Sequence, residues 1–221
     1  MGFRSTLRRA PFGLAASLIL VAMAATVSGP AFAGTYDGTA AANDADKYAT
    51  NGNSAYWTYT TDCTNFVSQA LRAGGWTFSS FGANLTSPSA WYYDNNGTTW
   101  TTWDDVNSNT WSVAKMLYSF TVLDSSPVRG KVIATYPGTT STAYPSGVSK
   151  GDLMFYDWDG DAVVNHVSIV AGSGTDPNGG DIGTLVDQHT KNRFHAIWSL
   201  ETYNTDKYTT TIYVTHLNTN I

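Results

Sequence analysis

The chain is organised around one stretch, which reads Thr60-Thr61-Asp62-Cys63-Thr64-Asn65-Phe66-Val67-Ser68-Gln69-Ala70-Leu71. Its apolar residues recur at helical spacing and therefore share one face. Asp62 or Thr61 can cap the helix start, because a short side-chain oxygen accepts hydrogen bonds from the free backbone N–H groups of the first turn. Gly74-Gly75 ends the helix. The pattern predicts a helix that begins at the chain's only cysteine.

Cys63 lies at the positive end of this helix, on its buried face. A helix N-terminus lowers the pKa of a thiol and favours the thiolate, which is the nucleophilic form. A lone buried cysteine is, however, more often a small apolar residue than a nucleophile. On the helix pattern alone both interpretations stay open.

The first 33 residues have the features of a secretory signal peptide. Three arginines precede an apolar run over residues 14–27, and Ala31-Phe32-Ala33 forms a small-residue cleavage signal. The apolar run is short for a membrane span, although an uncleaved anchor is the alternative. We therefore expect a secreted, extracellular bacterial protein or one associated with the cell wall, with no membrane contact after cleavage. Residues 34–221 then form a single domain.

Composition restricts the partners. The formal net charge is −5 and Lys plus Arg total 12, so a nucleic-acid partner is not expected. Exported proteins commonly hold disulfides, but one cysteine cannot form an internal one. An exported free thiol is easily oxidised unless it is buried or used, which favours a functional role for Cys63. We expect a monomer.

The first half of the chain is helical and then rich in aromatic residues. A helix is predicted over residues 39–49, before the cysteine helix, and another over residues 111–120. Between them, residues 76–111 carry many Trp, Tyr and Phe side chains without periodicity. These aromatic residues, Trp91 and Tyr92 among them, either bind substrate by stacking or pack a loop-rich lobe.

The second half of the chain predicts an antiparallel sheet. Short segments rich in Val, Ile, Tyr and Trp alternate with turn signals, and the predicted strands cover residues 130–136, 152–156, 163–171, 185–190, 196–200 and 211–217. Helices followed by a sheet indicate an α+β domain.

A thiol nucleophile needs a base, and His166 is the best candidate because it opens an otherwise apolar strand. Asp187 and His189 lie two residues apart and so share a face of a later strand. If that strand pairs beside His166, either side chain could orient the imidazole. The alternative is a polar outer face of an edge strand.

A metal or cofactor is not expected from the sequence. Asp157, Asp159 and Asp161 alternate as in calcium loops, but the bidentate glutamate that ends such loops is missing, and a hairpin turn is the simpler interpretation. No CxxC or HExxH spacing occurs.

Five segments of the chain together resemble a bacterial amidase domain family. They are the cysteine stretch, Gly74-Gly75-Trp76, Gly151-Asp152-Leu153, His166-Val167-Ser168-Ile169-Val170 and Gln188-His189-Thr190. The order of motifs is more distantly similar to CHAP and NlpC-type cell-wall hydrolases. This resemblance implies a circularly permuted papain-like fold, with Cys63 as nucleophile and His166 as base. It also implies Asp187 or His189 as the third catalytic residue, and leaves open which.

We therefore expect a cysteine amidase or endopeptidase that cleaves amide bonds, with peptidoglycan or another peptide as substrate. Asp62 is a supporting residue, and the Cys63 backbone N–H is the expected oxyanion donor. Two other functions fit the same sequence: a non-catalytic module that binds cell-wall glycan, and a thiol acyltransferase that uses an amine in place of water.

Overall fold

The cysteine helix forms as expected. In a computed structural model that describes residues 1–2, 34–97, 104–123, 128–140 and 144–220, helix α2 spans Cys63–Ala73 and ends at Gly74. A Cβ atom at Gly74 would lie 2.7 Å from the Tyr36 ring and 2.8 Å from the Ala41 Cβ. Glycine is required there because Tyr36 and Ala41 lie too close for any side chain.

Helix α1 spans Gly38–Tyr48 and packs beside α2. Asp37 caps it, because one carboxylate oxygen accepts the backbone N–H groups of Thr39 and Ala40 at 2.9 and 3.0 Å. The predicted signal peptide and its cleavage site lie outside the described residues. Among the described residues, none of the helices has the length and apolar character needed to cross a bilayer.

The helix predicted over residues 111–120 is broken in the structure. Helix α3 spans Asn109–Ser112, helix α4 spans Ala114–Tyr118, and a π-helical turn covers Ser119–Leu123. Val113 between them is extended, with φ −122° and ψ 119°. A β-branched residue favours this conformation over a helical one. The apolar periodicity of the sequence therefore continues through Val113, but the helix is interrupted there.

The main sheet has six antiparallel strands, as the sequence predicts. In chain order they are β3 Gly130–Pro137, β4 Leu153–Asp157, β5 His166–Thr175, β6 Ile182–Gln188, β7 Arg193–Ile197 and β8 Thr211–Leu217. Their spatial order is β3-β8-β4-β5-β6-β7. A second, two-stranded sheet pairs β1 Tyr93–Asp94 with β2 Val106–Asn107. The architecture is therefore α+β.

The two faces of the main sheet are covered differently. Helices α1 and α2 pack on the face formed by Leu153, Phe155, Val167 and Ile169. The other face carries Met154, Tyr156, Val170, Ile212 and Val214, which pack against residues of the later loops such as Trp198 and Leu200. Cys63 belongs to the first layer, and His166 begins β5 at the edge between the layers.

The register of β5 and β6 decides which polar residues face His166. Ile169 pairs with Asp187, and residues opposite each other across a strand pair share a face. Asp187 therefore points to the helix side with Ile169. Gln188, the next residue, points to the opposite side, where His166 and Ser168 lie.

The expectation that Trp91 and Tyr92 bind substrate is wrong. Trp91 is 0% exposed and Tyr92 is 2% exposed. The Trp91 ring packs against Trp76 and Trp111, and its indole N–H donates to the Ser68 hydroxyl at 3.2 Å. Trp91 and Tyr92 belong to an internal core, so neither side chain can stack on a ligand, whereas Phe81 in the same region is 56% exposed. Trp100 and Trp103 lie outside the described residues.

Candidate active site

Cys63 is the first residue of helix α2 and remains 7% exposed. Burial raises the pKa of its thiol, but the opposing effects are larger. The charge of His166 and its hydrogen bond to the thiol act together with hydrogen bonds from the Thr64 side chain and the Val167 backbone, and they lower the pKa of Cys63 to about 7. A thiol whose pKa is about 7 is half ionised at neutral pH, as a nucleophile requires.

His166 is held between Cys63 and Gln188. Its Nε2 atom lies 2.9 Å from the Gln188 Oε1 atom. The Gln188 amide is oriented by its own N–H, which donates to the Lys191 carbonyl at 3.1 Å, so its oxygen faces the imidazole. An acceptor at Nε2 requires a proton there, which leaves Nδ1 for the thiol.

The same contacts stabilise the charged form of His166. Burial lowers the pKa of the imidazole, yet the Cys63 thiolate and the hydrogen bonds to Cys63 and Gln188 raise it above its ordinary value. A lowered thiol pKa beside a raised imidazole pKa indicates a thiolate–imidazolium pair. The Trp158 ring stacks on the imidazole at 5.2 Å between centroids and covers one of its faces.

Asp62 occupies the cap position of α2, but its side chain does not cap the helix. The hydroxyl of Thr190 does so instead: its oxygen accepts the backbone N–H of Asp62 at 3.0 Å and that of Cys63 at 3.2 Å. The Cys63 N–H, expected to be free for an oxyanion, is thus already bonded. Thr190 has φ +80°, which is strained for a β-branched residue.

Asp62 instead fixes the segment around the helix start. Its Oδ1 atom accepts from the Tyr59 backbone and from the Asn65 amide, both at 2.9 Å, and its Oδ2 atom lies 2.7 Å from the Nδ1 atom of His189. The other nitrogen of His189 lies 2.8 Å from the Tyr48 carbonyl oxygen. Asp62 therefore fixes the start of the helix through bonds other than the expected cap.

The expectation that His189 orients His166 is wrong, since both of its ring nitrogens are bonded elsewhere and its ring stacks on Phe66 at 4.1 Å. The same expectation for Asp187 is also wrong. Its Oδ1 atom accepts the His195 backbone N–H at 2.7 Å, on the helix side of the sheet. Burial, assisted by the nearby Asp46 carboxylate, raises the pKa of Asp187 to about 8.

A pocket of about 210 Å³ opens beside the imidazole. His166, Gln188 and Thr190 form one end of the pocket, and Lys191 and Arg193 bring positive charge to its wall. The Arg193 guanidinium lies 3.8 Å from the centroid of the Tyr203 ring, which also lines the pocket. The remaining lining residues are Trp158, Leu200, Asn204, Thr205 and Asp206.

The loop carrying Asp157, Asp159 and Asp161 is a turn stabilised by its own backbone. The two carboxylate oxygens of Asp157 accept the N–H groups of Gly160 and Ala162, each at 2.8 Å. The Asp161 carboxylate accepts the Val163 N–H at 2.8 Å. These bonds give Asp157 and Asp161 a role in stabilising the turn. A carboxylate oxygen of Asp159 lies within 4.8 Å of one from each of the other two.

Sequence reasoning missed two residues of the site, Gln188 and Thr190. Both stand in the run Gln188-His189-Thr190 that carries part of the family resemblance. The sequence shows which residues of this strand share a face, but it does not show how the strand is aligned against β5. That register selects Gln188 over its two neighbours.

Similarity to known proteins supports the assignment of the chain to a family. The chain is 29% identical over 170 residues to the uncharacterized protein YhbB of Bacillus subtilis (strain 168), a match that covers 75% of this chain and 45% of YhbB. The chain thus spans less than half the length of that relative. No solved structure matches the chain. The family model described as "Putative amidase domain" matches residues 35–214, and the chain belongs to this family.

Proposed function

We propose that the protein is a secreted cysteine amidase that hydrolyses amide bonds in peptidoglycan peptides. The observation that carries the proposal is the interaction of Cys63 with His166, which holds the thiol pKa at about 7 in spite of burial. The family to which the chain belongs supports the amide bond as the target. Cysteine dependence, the cell-wall substrate and export are parts of the proposal.

In the first step the Cys63 thiolate attacks the amide carbonyl carbon. The carbon–nitrogen bond breaks as His166 transfers its Nδ1 proton to the departing amine, which leaves a thioester on Cys63. Gln188 keeps the imidazole in position and stabilises its charged form through Nε2. A neutral amide serves here where other hydrolases use a carboxylate.

In the second step water attacks the thioester. His166, now neutral at Nδ1, accepts a proton from the water and then returns it to the sulfur as the acid product leaves. The pocket beside His166 gives water and substrate access to this side of the imidazole.

Thr190 supplies a donor for the oxyanion. Its oxygen already accepts the N–H groups of Asp62 and Cys63, so its own O–H bond is directed away from the helix. Thr190 is exposed and lines the pocket, where this hydroxyl can donate to the carbonyl oxygen that gains charge during attack. The two backbone N–H groups polarise the hydroxyl and strengthen this donor.

The charge of the pocket favours an acidic peptide. Lys191 and Arg193 form no ion pair with a carboxylate among the described residues. A substrate that carries a carboxylate near the scissile amide would pair with them. Peptidoglycan stem peptides are such substrates, and the predicted signal peptide over residues 1–33 supports export to that location.

The fold proposed for residues 34–221 is the circularly permuted papain-like fold. Its support is the chain order, in which the cysteine opens a helix and the histidine follows on a strand of an antiparallel sheet. The helix and strand meet at the seam where Cys63 and His166 interact.

The test is fragment release from purified peptidoglycan, followed by mass spectrometry. The native protein should release soluble peptides, and Cys63→Ala should release none while unfolding at the same denaturant concentration. Cys63→Ser is the matched control for size and polarity. Full activity of the alanine variant would overturn the nucleophile assignment.

The same experiment separates hydrolysis from acyl transfer. Added glycine amide would appear in the product mass if an amine competes with water for the thioester. Binding to insoluble peptidoglycan without release would instead indicate a binding module, for which the buried Trp91 and Tyr92 offer no stacking surface.

A further inference from the structure

Three ligand-type side chains meet on the helix side of the sheet, away from the thiol. Asp46 comes from helix α1, Asp187 from strand β6 and His195 from strand β7. One oxygen or nitrogen atom of each lies within 4.8 Å of the others. The Nε2 atom of His195 is 2.8 Å from the Asp46 Oδ1 atom. None of these contacts serves the cysteine chemistry.

Asp187 has an unsatisfied oxygen in this cluster. The residue is 0% exposed, and its Oδ1 atom is fixed by the His195 backbone N–H. Its Oδ2 atom is buried and has no hydrogen-bond donor among the described residues. A buried carboxylate oxygen without a donor is costly, and the group close to it is a second carboxylate, Asp46.

A buried carboxylate such as Asp187 that approaches a second carboxylate needs a cation or a shared proton between them. We propose that Asp46, Asp187 and His195 form a binding site for one divalent cation. The Asp187 Oδ2 atom, which lacks a donor, becomes a ligand. The site joins helix α1 to strands β6 and β7 at one edge of the sheet.

The ligand set indicates which cations suit the site. One imidazole and two carboxylates match Zn²⁺ and similar first-row ions better than Mg²⁺ or Ca²⁺, which prefer oxygen ligands alone. A tetrahedral zinc site with bonds of about 2.1 Å has ligand atoms about 3.4 Å apart, within the span of this cluster. The His195 N–H bond to Asp187 Oδ1 is the kind of outer contact that orients a carboxylate ligand.

The site is open to exchange with solvent. The side chains of His195 and Asp46 are 28% and 30% exposed, whereas Asp187 forms the closed end. A cation can therefore enter over His195 and Asp46 without unfolding of the sheet. Once bound, it fixes the residue that immediately precedes Gln188.

The experiment measures Zn²⁺ binding by calorimetry and by the shift in Tm, after the protein has been treated with a chelator. It is run in the Cys63→Ala background, because the Cys63 thiolate and the His166 imidazole could together bind zinc. Mn²⁺ and Ca²⁺ are measured in parallel. We expect one equivalent of Zn²⁺ to bind, Tm to rise, and Ca²⁺ to bind at least about tenfold more weakly.

The variants Asp46→Asn and His195→Ala test the ligands, because both side chains are partly exposed and their loss leaves the core packed. Each should weaken Zn²⁺ binding by more than about tenfold and abolish the rise in Tm. Asp159→Asn, in the exposed acidic turn, is the matched control and should bind as the parent does. Absence of Zn²⁺ binding, or binding that the two ligand variants leave unchanged, would overturn the proposal in favour of a proton shared by the carboxyl groups.

Discussion

The Nε2 atom of His166 lies 2.9 Å from the Oε1 atom of Gln188, and this contact orients the imidazole. The amide oxygen is turned to the imidazole because the Gln188 N–H is bonded to the Lys191 carbonyl. The imidazole is therefore protonated at Nε2 and presents Nδ1 to the thiol. An amide, and not the carboxylate of Asp187 or the ring of His189, holds the His166 imidazole.

The rate of Cys63 alkylation should depend on pH with a midpoint at the pKa of the thiol. Because that pKa is lowered to about 7, the rate with iodoacetamide should fall below pH 7 and reach a plateau above it. His166→Ala should move the midpoint to the alkaline side, since burial is then opposed only by the hydrogen bonds from Thr64 and Val167. The chain has one cysteine, so the label reports Cys63 only, and the chain unfolded in guanidinium is the control. A native midpoint equal to the unfolded one would contradict the thiolate–imidazolium pair.

Replacement of Gln188 should show whether its hydrogen-bond acceptor, and not only its size, is needed for activity. Gln188→Ala removes the acceptor that raises the pKa of His166, so kcat should fall by about 100-fold, at the low end of the contribution of general acid–base catalysis. Gln188→Glu keeps an acceptor and adds charge, which raises the His166 pKa further. Its kcat should stay within about tenfold of the native value. Equal activity of the alanine and native proteins would remove Gln188 from the mechanism.

Thr190 should affect both stability and rate. Thr190→Val removes the acceptor of two backbone N–H groups, which should lower the free energy of unfolding by about 1 kcal/mol. It also removes the proposed oxyanion donor, so kcat should fall by about 100-fold. Thr190→Ser keeps the hydroxyl and should preserve both. A variant that loses stability but keeps kcat would show that Thr190 is only a helix cap.

His189 should matter for stability, not for chemistry. His189→Ala leaves the Asp62 carboxylate buried without its partner, and breaking a buried pair of this kind lowers the free energy of unfolding by about 3–5 kcal/mol. Urea unfolding of His189→Ala, Asp62→Asn and the double variant measures the coupling between them. If the two losses simply add, the 2.7 Å contact contributes nothing to folding.

Trp91 should behave as a core residue. Trp91→Ala should lower the free energy of unfolding by about 3–5 kcal/mol, because the fully buried indole leaves a cavity among other aromatic rings. Tyr208 is 83% exposed, and Tyr208→Ala is the control with an expected change within about 0.5 kcal/mol. Urea unfolding measures both. A stable Trp91→Ala protein with weakened substrate binding would restore the stacking function.

Local patterns in the sequence predicted most of the elements. Cys63 opens α2 because an apolar face at helical spacing begins there and Gly74 ends it. The strands were visible as β-branched and aromatic segments between turn signals, and His166 was distinctive at the start of one of them. The broken helix at Val113 was not visible, because the apolar period continues through a residue whose backbone is extended.

The sequence by itself determined a single thiol at a helix start, an imidazole at a strand start, and an α+β order of elements. These follow from spacing within one segment, which fixes the faces of a helix or strand. Which side chains meet across segments follows from the packing of the folded sheet and helices. The alignment of β5 with β6 places Gln188 beside His166. It turns Asp187 and His189 to the opposite face of the sheet, where Asp187 meets Asp46 and His195. Such register depends on packing of the whole sheet, which no single segment encodes.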